Sequence, residues 1–172
     1  MSRLLLISNS TLHGSGYLDH AEVEIRDFIG ERARVVFIPY AFHDRRAYCE
    51  QAENRCRKLE LAFRSVHDVS NPSRAIEQAQ IIFIGGGNTF RLLYELQRNQ
   101  MIEPIRRAVR AGTPYIGSSA GSIIACPSLK TTKDMPVIQP SSFEALSLVP
   151  FQISPHYPVS YTHLTLPTTP YV

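Results

Sequence analysis

Short apolar runs alternate with longer stretches of mixed polarity along most of this chain. Residues 3–8 read as a first strand, 33–39 as a second and 62–66 as a third. Ile81, Ile82, Phe83 and Ile84 form a run without a polar position, the pattern of a strand buried on both faces. Residues 114–116 form a further short apolar run. Between these runs, residues 17–29, 45–61, 72–78, 89–99, 103–111 and 120–125 carry the spacing of amphipathic helices. Strands that do not alternate in polarity and are separated by helices predict an α/β fold. The expected architecture is a three-layer sandwich, a parallel sheet covered by helices on both faces. In such sheets ligands sit at the carboxyl ends of the strands.

The pattern breaks after Glu144, beyond which no Asp, Glu, Lys or Arg occurs. An apolar run at Leu148, Val149, Pro150 and Phe151 predicts one more strand, ending near His156. From Ser160 onward no period is visible, and Pro167 and Pro170 exclude a regular helix. That stretch resembles a translated sequencing adapter. The expected division is one α/β domain over 1–158, incomplete at its C-terminal side, and a non-native or disordered tail over 159–172.

Composition narrows the class of protein. Hydrophobic residues make up 44% and charged residues 19%, values of a globular chain. The formal net charge of +3 is dispersed. Arg45 with Arg46, the 55–58 group, and Arg106 and Arg107 with Arg110 all fall on expected helices and read as solvated faces. No zinc-finger, RRM or basic-arm pattern is present, so nucleic acid is not implied. Cys49, Cys56 and Cys126 form no C-x-x-C and no metal-ligand spacing, which suits free thiols in a reducing compartment. The first apolar run is too short for a signal peptide, and no stretch reaches the roughly 18 apolar residues of a membrane span. A cytoplasmic protein without metal, cofactor or membrane contact is the expectation.

Gly117-Ser118-Ser119-Ala120-Gly121 matches the nucleophile elbow G-x-S-x-G, with Ser119 at its centre, between a strand and a helix. Gly85, Gly86 and Gly87 close the run at 81–84 and open another helix, where close backbone approach is possible. Neither a dinucleotide fingerprint nor a Walker motif is matched there. The turn can instead supply an oxyanion donor, the Gly87 N–H beside the Ala120 N–H, or be a tight turn only. A serine nucleophile needs a base and an acid that orients it. Of six histidines, His156 is the one expected at a strand's carboxyl end. Asp134, in a turn-like segment, is the best-placed acid before it, with turn capping as the competing role. Ser, Asp, His is the α/β-hydrolase order, but the spacing leaves little room for that fold's intervening elements.

Five co-linear segments add to this reading. They are the residues 5–11, Gly85-Gly86-Gly87-Asn88-Thr89-Phe90, Tyr115 to Gly121, Thr132-Lys133-Asp134-Met135-Pro136 and Pro155-His156-Tyr157. Together they resemble the peptidase E family, serine peptidases related in fold to class I glutamine amidotransferases. The resemblance implies hydrolysis of dipeptides with an N-terminal aspartate, without metal or cofactor. It implies Ser119 as nucleophile, His156 as general base, and Gly87 and Ala120 as the oxyanion hole. Asp134 matches a position assigned as the acid, a role other accounts give to a downstream glutamate, and Asn88 is the candidate substrate-binding residue. Members of the family continue beyond this histidine. Two alternatives therefore stand beside the dipeptidase: an inactive truncated fragment, and a hydrolase of another acidic peptide, as in the related cyanophycin-degrading enzymes.

Overall fold

The computed structural model describes residues 2–32 and 34–156; the tail expected over 159–172 lies outside them. Five strands, β1 (Leu4–Ile7), β2 (Arg34–Ile38), β3 (Ala62–Ser65), β4 (Ile81–Ile84) and β5 (Tyr115–Ser118), form one sheet in the order β1-β5-β4-β2-β3. Every pairing is parallel. Six α-helices connect and cover it: α1 (Glu22–Ile29), α2 (Arg45–Lys58), α3 (Pro72–Glu77), α4 (Thr89–Arg98), α5 (Ile102–Arg110) and α6 (Ala120–Ile124).

Strand order and helix placement share one cause. From β1 to β2 to β3 the chain moves across the sheet in one direction, and from β3 to β4 to β5 it returns. Right-handed crossovers then require the first two helices on one face and the next ones on the other. The core divides accordingly. Ile25, Ile29, Ala52 and Cys56 from α1 and α2 pack with Phe37, Ile81 and Phe83. Ile76, Leu92, Leu96, Ile105 and Val109 from α3, α4 and α5 pack with Val36, Ile82 and Ile84. Successive residues of β4 thus serve opposite faces, and all four are buried.

Three sequence expectations change. The helix expected from residue 17 begins later, because Leu18 takes φ 57°, which an α-helix does not accommodate. A short 3₁₀ turn, Asp19–Ala21, fills the gap. The arginines are also not all solvated. Arg55 is 4% exposed and donates to Asp19, Glu22 and the Leu18 carbonyl, tying α2 to the approach to α1. Arg26 and Arg55 together hold the Glu22 carboxyl below its usual range. Arg106 donates to the carbonyls of Leu146 and Ala145.

Finally, no strand forms at 148–151. Leu146, Ser147 and Leu148 donate their N–H groups to Ile124, Cys126 and Ala125 carbonyls at 2.8–3.0 Å, where α6 ends. Carbonyls at a helix C-terminus lack intrahelical donors, and this segment supplies them. Pro150 brings no ladder donor. Among the described residues, no helix is long and apolar enough to cross a membrane, and no cluster of ligating side chains could hold a metal ion.

Candidate active site

All five carboxyl ends lie on the same edge of this parallel sheet, and three of them converge. β5 runs directly into α6, and the residue between them, Ser119, has φ 52° and ψ −109°. Positive φ is uncommon for a residue with a Cβ and here marks the sharp elbow. The elbow is pinned from beneath. Ser119 N–H donates to the Ile7 carbonyl at 2.9 Å, and Ser122 Oγ donates to Ile7 and Gly117 carbonyls. Tyr115, wholly buried in β5, donates its hydroxyl to the Gly121 carbonyl at 2.6 Å. Burial raises the Tyr115 phenol well above its ordinary pKa, so it stays a donor.

The exposed His156 comes to this elbow from the far end of the chain. Its Nε2 lies 2.6 Å from Ser119 Oγ. The His156 main-chain N–H donates to Ser8 Oγ at 2.9 Å, just past β1, and Ser8 Oγ donates in turn to Asn9 Oδ1 at 3.0 Å. The His156 main chain is therefore held by the end of β1, the strand that neighbours β5 and the elbow.

On the other side stands the glycine turn after β4. A Cβ on Gly86 would lie 3.0 Å from Ser119 Cβ, and one on Gly87, at φ 125°, would lie 2.7 Å from the Ala41 carbonyl. Only glycine allows that approach. Ala120 is the first residue of α6, so its N–H has no intrahelical acceptor. A serine hydroxyl touching an imidazole, next to a helix start and a glycine turn, is an arrangement suited to acyl transfer.

A sequence model of Peptidase family S51 matches residues 4–167, which takes in part of the tail expected over 159–172. The chain belongs to Peptidase family S51. Among similar proteins, Peptidase E of Streptomyces coelicolor is 47% identical over 154 residues, which cover 90% of this chain and 63% of that protein. A Drosophila melanogaster protein named "Probable alpha-aspartyl dipeptidase" is 45% identical over 157 residues, covering 90% of this chain and 65% of its own length. The crystal structure of a "Putative Peptidase E Protein" from Listeria monocytogenes EGD-e superposes with a TM-score of 0.76 at 28% identity. That likeness covers 91% of this chain and 80% of the other. The chain thus spans just under two thirds of the length of the first two relatives.

The structure brings Ser119 and His156 together and leaves Asp134 elsewhere. Asp134 Oδ2 accepts from Thr89 N–H at 2.7 Å, from Thr89 Oγ1 at 2.5 Å and from Thr132 Oγ1 at 3.1 Å. Among the described residues it makes no hydrogen bond to His156. Its carboxylate sits at the N-terminus of α4, where negative charge is stabilised. Asn88, expected at the substrate, spends its amide on the protein. Oδ1 accepts from Arg91 N–H at 3.0 Å as the cap of α4, and Nδ2 donates to the Met135 carbonyl at 2.8 Å. Both residues lash the 132–135 segment to the glycine turn.

Asp134→Ala is accordingly expected to cost about 0.5–2 kcal/mol, as loss of a helix N-terminal partner does. Calorimetry should show a melting temperature lower by roughly 1–8 °C. An orienting acid would instead cost about 10⁴-fold in turnover with folding intact.

Ser8, Ser10 and Ser118 lie in the segments 5–11 and 115–121, but the sequence alone marks no role for them. Ser10 Oγ and the buried Ser118 Oγ are 2.7 Å apart, which joins the loop after β1 to the elbow. The signal was the run Ser8-Asn9-Ser10 at a strand's carboxyl end, beside a strand whose neighbourhood becomes known only with the sheet order.

Proposed function

We propose that this chain carries the nucleophile and base of a serine dipeptidase that cleaves Asp-X dipeptides through an acyl-enzyme. The observation that carries the reading is the 2.6 Å contact between Ser119 Oγ and His156 Nε2 at a strained strand-to-helix turn. The name of the Drosophila relative supports the aspartyl preference. Three free thiols among the described residues support a cytoplasmic setting.

In this mechanism His156 Nε2 takes the Ser119 proton as Oγ attacks the peptide carbonyl. The tetrahedral oxyanion rests on the Gly87 and Ala120 N–H groups, each such donor contributing about 2.7–4 kcal/mol. The imidazolium passes its proton to the departing amine, and aspartate remains as an ester on Ser119. Water then gives a proton to His156 and attacks the ester, and free aspartate leaves as Oγ recovers its proton. The test is release of aspartate from Asp-Leu by this chain and by Ser119→Ala.

Ser8 has a positioning role in the same reading. Ser8→Ala removes the acceptor of the His156 main-chain N–H, worth about 1 kcal/mol, or roughly fivefold. The expected outcome is a fivefold lower kcat with KM unchanged, read from steady-state hydrolysis of Asp-Leu.

A further inference from the structure

The turn after β4 offers four successive main-chain N–H groups, and three are spent within the protein. Gly85 N–H donates to the Ile38 carbonyl at 3.3 Å, and Asn88 N–H to the Ala41 carbonyl at 3.0 Å. The Gly86 main chain hydrogen-bonds the hydroxyl of Tyr48, which reaches in from α2. Of these four, Gly87 N–H has no acceptor among the described residues. Gly87 is also the donor invoked for the oxyanion.

Tyr48 is fitted to this turn. A Cβ on Gly85 would lie 2.2 Å from its hydroxyl oxygen and 2.7 Å from its Cζ, so the phenol occupies the space of a missing side chain. The ring is held by Phe37 at 5.2 Å and Phe42 at 4.5 Å between centroids. Its hydroxyl meets that of the buried Tyr17 at 3.1 Å. Burial pushes the Tyr48 pKa up to about 12, so the group is a neutral hydroxyl and no proton carrier at working pH. The opposite side of the turn presses on the nucleophile, with a Gly86 Cβ position 3.0 Å from Ser119 Cβ and 2.8 Å from Ser10 Oγ. Tyr48 and Ser119 therefore press on the neighbouring glycines Gly85 and Gly86 of one turn.

From this geometry we infer that Tyr48 is a positioning residue, whose hydroxyl fixes the Gly85-Gly86 main chain and thereby aims the Gly87 N–H at the oxyanion. The inference rests on the serine-peptidase reading above. Displacement of a reacting or stabilising group by about 1 Å can cost on the order of 100-fold. A hydroxyl removed from a turn that keeps its other contacts should cost part of that.

Tyr48→Phe keeps the ring and removes the hydrogen bond. Expected are a kcat on Asp-Leu lower by about ten- to a hundredfold with KM within twofold, and an equal fall in the rate at which a fluorophosphonate labels Ser119. Amide exchange at Gly86 should rise in the same variant. Tyr17→Phe, which removes only the outer hydroxyl, should change these values less than threefold, about the scale of one modest hydrogen bond. Full kcat and labelling in Tyr48→Phe would overturn the positioning role and leave the serine reading standing. Equal losses in Tyr48→Phe and Tyr17→Phe that follow their melting temperatures would also overturn it, as general loosening. Labelling that survives Ser119→Ala would overturn the serine reading, and the positioning role with it.

Discussion

Ser119→Ala is expected to lower the release of aspartate from Asp-Leu by on the order of 10⁴- to 10⁶-fold, the loss seen when a serine nucleophile is removed. That corresponds to roughly 5–8 kcal/mol of lost transition-state stabilisation. The prediction is specific to one of three neighbouring serines. Ser118 is fully buried and shares its hydroxyl with Ser10, and Ser122 is 1% exposed and donates to two carbonyls. Only Ser119 meets the imidazole. Ser118→Ala should therefore change turnover by less than tenfold, the scale of one or two hydrogen bonds. The substitution at 119 should leave folding intact, because alanine needs the same positive φ and fills the same space up to Cβ. Residual activity in Ser119→Ala above about 1% of wild type would exclude Ser119 as nucleophile.

Strand positions were legible because a fully buried parallel strand needs an unbroken apolar run, and Ile81 to Ile84 is one. The elbow was legible because its geometry constrains residue type locally: Ser119 needs small neighbours, and those neighbours are adjacent in sequence. The pairing of Ser119 with His156 needed more, namely the order of several motifs along the chain. What escaped the sequence depends on contacts between distant segments. Asp134 in a turn suits either an orienting acid or a cap; the choice rests on Thr89, 45 residues away. The apolar run before His156 looks like a strand, yet its backbone caps α6, a partner that periodicity does not reveal. Arg55 lies in a charged stretch and reads as solvated until Asp19 and Glu22 are brought to it.

Gly121→Ala is expected to be the most disruptive single-methyl change in the protein's core. A Cβ there would lie 2.1 Å from the Ile84 carbonyl oxygen and 2.9 Å from the Ile84 carbonyl carbon, with the Gly85 carbonyl at 3.3 Å. All three obstacles are main chain at the end of β4, so no rotamer change relieves them. Either α6 lifts from the sheet or the β4 end is pushed aside, and both motions disturb the turn that faces Ser119. Overpacking of this kind costs about 3 kcal/mol, which for a domain of this size lowers the melting temperature by roughly 6–12 °C. Gly112 is the comparison. It has φ 107° with nothing within 4 Å of a Cβ, so Gly112→Ala meets backbone strain alone, about 1–2 kcal/mol. Calorimetry of the two variants separates contact from conformation. A Gly121→Ala melting temperature equal to that of Gly112→Ala would mean that α6 yields to the methyl. The close seat of α6 on β4 would then not be what holds the elbow in place.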